Sequence, residues 1–131
     1  HSVPGGDLVE TVRVVIVDDQ EPFRRAGAAV IEAMDDFELV GVAETGEDSV
    51  ELARALTPDL VLMDVNLPGM NGLEAARLLR RIDPAPVVVL LSTYDQSDYG
   101  DETRDCGASA YISKSAFEPD LLRRVWLDAR G

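Results

Sequence analysis

Four apolar runs in this chain end on side chains that could act together on a phosphoryl group. Val14-Val15-Ile16-Val17 ends in Asp18-Asp19, Leu60-Val61-Leu62-Met63 in Asp64, Val87 to Leu91 in Ser92-Thr93, and Ala110 to Ser113 in Lys114. Singly, each has an ordinary explanation, because Asp, Ser and Thr often close strands and cap helices. Three acids, hydroxyls and an amine at corresponding run ends are harder to explain separately. Carboxylates crowded together repel unless protons or a cation intervene. An all-oxygen donor set without His or Cys selects a hard ion, and Mg²⁺ with several retained waters is the expected one. The basic residues are 11 Arg and one Lys, and that Lys stands where a compact ammonium can reach a phosphoryl oxygen that a guanidinium would overshoot. A single Lys could also lie at the surface without a role.

Carboxylate, Mg²⁺, hydroxyl and ammonium are the equipment for phosphoryl transfer to an aspartate, a reaction that consists mostly of positioning and neutralising charge. Asp18 and Asp19 suit metal ligation. Asp64 is the expected nucleophile, because it precedes Val65-Asn66-Leu67-Pro68-Gly69-Met70-Asn71-Gly72, a turn-rich loop able to offer backbone groups. The loop also reads as an ordinary strand-to-helix turn with Asn71 as cap, and both readings can hold together.

Positioning these groups requires an open sheet. Runs of about six apolar residues alternate with segments of helical period, which predicts parallel strands joined by crossover helices. Five strands are expected at Val12 to Val17, Phe37 to Ala43, Leu60 to Met63, Val87 to Leu91 and Ala110 to Ser113. VVIV and VVVLL are apolar on both faces, as strands covered on each side are. Right-handed crossovers then place all carboxyl ends on one edge, where ligands of such sheets bind. Apolar stripes predict helices through Phe23, Ala26, Gly27, Val30, Ile31 and Met34, through Ala75, Leu78, Leu79 and Ile82, and through Leu122, Val125, Trp126 and Ala129. Thr45-Gly46-Glu47-Asp48 resembles a capping box for a helix that runs to about Leu56 and stops at Thr57-Pro58. A weak helix is expected from Gln96 to Cys106, where Tyr99, Thr103 and Cys106 share a face among acids, with Gly100 inside. It should be the least stable element.

Composition narrows the function. The chain of 131 residues has the size and mixture of one α/β or α+β domain. A net charge of −13 repels phosphate backbones and anionic lipid, so nucleic-acid binding by this domain alone is not expected. No run reaches the roughly 18 apolar residues of a membrane span. The first residues have neither a basic n-region nor an apolar h-region, so no signal peptide is expected there. The lone Cys106 excludes an internal disulfide and a Cys-rich metal site, which fits a reducing cytoplasm.

VVIVDDQ, LVLMDVNLPGMNG, VVVLLSTYD and GASAYISKS resemble the four motif regions of bacterial response-regulator receiver domains. The resemblance covers about Val12 to Ala129, and the last two motifs look most like regulators that carry a helix-turn-helix DNA-binding domain. It implies a doubly wound, five-stranded parallel sheet of flavodoxin-like order 2-1-3-4-5 with helices on both faces. By position, Asp64 matches the phosphoacceptor, Asp19 a direct Mg²⁺ ligand, Asp18 a ligand through water, and the Asn66 carbonyl the remaining protein ligand. Ser92 matches the hydroxyl that moves toward the phosphoryl group, Tyr111 the aromatic that follows it, and Lys114 the phosphate-binding amine, with Thr93 beside them. The partner implied is a sensor histidine kinase, homodimerisation on activation is left open, and DNA would be bound only through an effector domain. The chain would be no enzyme beyond weak self-catalysed phosphorylation and dephosphorylation. Residues 1–10 are expected to be a tag remnant or a disordered segment, and 11–131 the receiver domain. Lys114→Ala is expected to leave the fold intact.

Some positions depart from the pattern. Ser115 follows Lys114 where many relatives have Pro, Thr93 stands where a small residue is common, and the acidic Gln96 to Cys106 segment differs from the usual output face. Two other functions fit less well. A haloacid-dehalogenase-like phosphatase needs Asp-x-Asp after strand one, and the chain reads Asp18-Asp19-Gln20-Glu21. A nucleotide-binding domain needs a Gly-rich loop after strand one or a Gly-x-x-x-x-Gly-Lys loop, and neither occurs. A degenerate receiver that never takes phosphate conflicts with the intact Asp19, Asp64 and Lys114.

Overall fold

A computed structural model describes residues 11–92 and 107–130. Its strands are β1 (Val12–Val17), β2 (Phe37–Ala43), β3 (Leu60–Asp64), β4 (Val87–Ser92) and β5 (Ala110–Ser113). Its helices are α1 (Glu21–Glu32), α2 (Gly46–Leu56), α3 (Gly72–Leu79) and α4 (Pro119–Arg130). All strand pairs are parallel and the order is β2-β1-β3-β4-β5, as expected. The expected segments at residues 1–10 and 96–106, and Thr93, lie outside the described residues. Among the described residues, no helix is long and apolar enough to cross a membrane.

Alternation along each strand divides the core into two layers. Val15, Val17, Val61, Met63, Val88 and Leu90 face α2 and α3, while Val14, Ile16, Leu60, Leu62, Val89 and Leu91 face α1 and α4. Apart from Arg13 near the start of β1 and the terminal Asp64 and Ser92, β1, β3 and β4 are therefore apolar on both faces, because both faces are covered. β2 lies at an edge, and its Val42 is exposed.

Local chemistry sets the helix ends. The Thr45 hydroxyl accepts from the Asp48 N–H and opens α2, and the Asn71 side chain accepts from the Glu74 N–H and opens α3. At the other end of α2, Arg13 Nη1 donates to the carbonyls of Leu56 (2.6 Å) and Thr57 (3.1 Å), satisfying groups that a helix end leaves open. Two stripes differ from expectation. Ala26 points to solvent on α1; on α3, Leu78 lies on the exposed face, and the helix stops at Leu79, so that Ile82 reaches the core from beyond it. Pro84 disfavours helical backbone at Asp83, and the buried face of α3 is Leu73, Ala75, Ala76 and Leu79 instead.

Gly72 brings α3 against the end of β3. Its N–H donates to the Val65 carbonyl at 2.9 Å, and a Cβ at this position would collide with the Asp64 carbonyl oxygen and the Val65 Cα. Gly72→Ala is accordingly expected to destabilise the fold by about 1–3 kcal/mol, since the obstruction is backbone rather than a flexible side chain. The urea midpoint would report it. A midpoint equal to that of the parent would mean that the approach is not close.

Candidate functional site

β1 and β3 are neighbours, yet the chain leaves β1 toward β2 on one side and returns to β3 on the other. The carboxyl ends of β1 and β3 thus flank the point where strand order reverses, the usual binding crevice of an open α/β sheet. Asp18 and Asp19 follow β1 and Asp64 closes β3, with one carboxylate oxygen from each lying within 4.8 Å of the others. Asp18 and Asp64 are buried and Asp19 is exposed.

The backbone fixes this arrangement. The Asp18 N–H donates to the Ala43 carbonyl at 3.0 Å, continuing the ladder beyond the end of β1. Asp18 Oδ1 accepts from the Gln20 N–H at 2.8 Å, and Arg24 Nη1 donates to the Asp18 carbonyl at 2.7 Å. Asp64 Oδ1 accepts from the Asn66 N–H at 3.2 Å, a turn made by the loop that follows β3. Sequence reasoning missed Gln20 and Arg24. Their position, just past the carboxyl end of β1, was the available signal.

Lys114 bridges the two buried acids. Its ammonium lies 2.5 Å from Asp18 Oδ2 and 3.5 Å from Asp64 Oδ2, with Gln20 Oε1 also at 3.5 Å. Asp18 Oδ2 has this ion pair but no aligned hydrogen bond. Among the described residues, three carboxylates in this cluster face one ammonium, an excess of two negative charges. That is the charge of one divalent cation, and the all-oxygen donor set fits Mg²⁺.

Burial pushes the Asp64 carboxyl up to about 6, with the Asp18 charge adding to the rise and Lys114 opposing it. A carboxyl raised in this way binds its proton more tightly folded than unfolded, so the fold loses stability as pH rises from about 3.8 to about 6. In metal-free protein, Asp64→Asn is therefore expected to be more stable than the parent by up to about 3 kcal/mol at pH 8. The difference should vanish below pH ~4, where the parent is protonated as well. Denaturation at the two pH values checks this, and a variant less stable than the parent at pH 8 would contradict it.

The other expected site residues are distributed less evenly. Ser92 is buried at the end of β4, and β4 pairs with β3 so that Leu91 lies opposite Asp64. Tyr111 lies opposite Leu90 and packs against the α2 and α3 layer, half-buried. Asn66 is exposed two residues past Asp64. The structure brings Asp18, Asp19, Asp64 and Lys114 together and sets Ser92 on the strand beside them.

A doubly wound parallel sheet with an acid cluster and a lysine at its switch point defines a class of α/β binding module. The chain belongs to the response regulator receiver domain family, whose model matches residues 14–126. It is 36% identical over 120 residues to the transcriptional regulatory protein DegU of Brevibacillus brevis, covering 92% of this chain and 51% of DegU. It is 35% identical to the response regulator GacA of Pseudomonas viridiflava, covering 92% of this chain and 56% of GacA. The chain thus spans about half the length of the curated relatives it matches. Among solved structures, the signal receiver domain of NarL from Mycobacterium tuberculosis superposes with a TM-score of 0.85 at 30% identity, covering 93% of this chain and 98% of that one. The response regulator domain of Thermotoga maritima CheB superposes with a TM-score of 0.82 at 28% identity over the same shares.

Proposed function

We propose that this receiver domain takes a phosphoryl group from a sensor histidine kinase onto Asp64, with Asp18, Asp19, Asp64 and the Asn66 carbonyl holding Mg²⁺. The observation that carries the reading is a buried Asp64 flanked by two further acids and by Lys114. An Asp64 oxygen would attack phosphorus in line as the bond from phosphorus to the donor's imidazole nitrogen breaks, and that nitrogen leaves with the electron pair. The attacking carboxylate has to be ionised, and the Asn66 N–H orients it. Lys114, already 3.5 Å from Asp64, is placed to neutralise phosphoryl oxygens. When bound, Mg²⁺ supplies charge neutralisation for the acids and the incoming group.

Ser92 lies buried beside the acceptor strand and, with Thr93, would answer the new phosphoryl group, with Tyr111 following. Such a response shifts a population between two states and changes an output surface. Because DegU is a transcriptional regulator and this chain spans about half of it, the output proposed is transcription through an effector domain outside these residues. The protein would act in the cytoplasm and have at most weak self-catalysed turnover.

The test uses a small donor such as acetyl phosphate. Phosphorylation is expected with Mg²⁺ and is expected to stop in excess chelator, returning when Mg²⁺ is restored. Undiminished phosphorylation in chelator would rule out a required metal.

A further inference from the structure

Lys114 is held on a second side that the acceptor chemistry leaves unexplained. Its ammonium lies over the Phe23 ring, 4.6 Å from the centroid, and that ring in turn pairs with Phe117 at 5.8 Å and an interplanar angle of 54°. We propose that Phe23 is a positioning residue for Lys114, holding the ammonium at the acid cluster through its ring face and linking it through Phe117 to the approach to α4. The proposal rests on the phosphoacceptor reading above and extends it to a residue which the apolar stripe of α1 presented only as core.

The chemistry of the ammonium favours this role. A lysine amine rides on a flexible four-carbon stem and is strongly hydrated, so holding it in one place requires partners on more than one side. Asp18, Asp64 and Gln20 supply oxygens. The negative face of an aromatic ring attracts a cation where an aliphatic side chain would only displace water. Phe23 reaches this position because α1 starts directly beyond the Asp18-Asp19 turn. Gly27, one turn later, lies beside both rings: a Cβ there would make ordinary contact with Phe23 (3.8 Å) and Phe117 (3.9 Å) and would press only on Ile16 Cδ1 (3.1 Å). The Phe117 N–H donates to the Lys114 carbonyl at 3.4 Å across the short 3-10 turn Lys114–Ala116. Lys114 and Phe117 are thus joined twice, through this turn and through Phe23. When phosphoryl oxygens replace Asp18 as partners of the ammonium, the ring in contact with it is the group placed to follow, and Phe117 is its neighbour.

Lys114 is the only lysine in the chain, so isotope-labelled lysine gives a single side-chain spin system. In this 131-residue chain without phosphate, ring current from Phe23 is expected to place the Lys114 Hε protons upfield of free lysine. Phe23→Leu is expected to return them toward the free value and to slow phosphorylation by acetyl phosphate about three- to tenfold, whereas Phe23→Tyr, which keeps the ring face, retains both. Hε protons at the free value in the parent, equal losses in the Leu and Tyr variants, or an unchanged rate in Phe23→Leu would each overturn the proposal. Absence of phosphorylation in the parent would instead defeat the phosphoacceptor reading, and the Hε shift would still decide whether the ring holds the ammonium.

Discussion

Asp64→Asn is expected to abolish phosphoryl acceptance, lowering the rate by at least about 10³-fold. A neutral amide oxygen is a poor nucleophile, and neither neighbouring acid replaces it well. Asp18 is buried, with one oxygen against Lys114 and the other accepting from the Gln20 N–H. Asp19 is exposed, away from the ammonium contacts that Asp18 and Asp64 make. The same variant is expected to be more stable than the parent without metal, so loss of acceptance could not be blamed on unfolding. Intact-mass time courses with Mg²⁺ and acetyl phosphate check the loss, and an adduct forming at the parent's rate would show that another residue accepts the group.

Lys114→Ala is expected to produce the second large effect, and it is one of stability. From sequence this lysine reads as a phosphate contact whose removal spares the fold. The structure instead places its ammonium between two buried carboxylates. Removing one partner of a buried ion pair leaves an uncompensated charge, which costs about 3–5 kcal/mol. Asp64 would then face Asp18 with no cation, so the loss is expected to be largest in metal-free protein above pH ~6 and to shrink in acid or with Mg²⁺. Lys114→Arg restores the charge but not the compact fit, and should recover only part. A Lys114→Ala variant with the parent's thermal midpoint in metal-free buffer at pH 8 would show that the pair contributes little.

The sheet was legible because three of its strands are covered on both faces. Val14 to Val17 and Val87 to Leu91 have no polar face to hide, and no helix of so few residues would need that pattern. The boundaries at Asp64 and Ser92 were less legible, since an apolar run ends where side chains change, whereas the ladder continues one residue further to pair Asp64 with Leu91 and Ser92 with Ser113. On α3, the spacing of Leu78 and Ile82 matches a longer helix, but nothing in hydrophobicity reveals that α3 rotates Leu73 and Ala76 inward and stops at Leu79. The acid cluster was readable because its members sit at strand ends, whose position follows from topology. The surroundings of Lys114 were not, because contacts to Gln20 and Phe23 cross 94 and 91 residues of chain and depend on how the turn after β5 meets the start of α1.

The central claim, that Asp64 is the acceptor, is tested most directly by locating the phosphoryl group. Borohydride reduces an aspartyl phosphate to homoserine with release of phosphate, leaving a stable mark at the residue that carried it. After phosphorylation with Mg²⁺ and acetyl phosphate, followed by reduction and peptide sequencing by mass spectrometry, homoserine is expected at position 64. Homoserine at position 18 or 19, or a phosphorylated domain with aspartate intact at 64, would contradict the account.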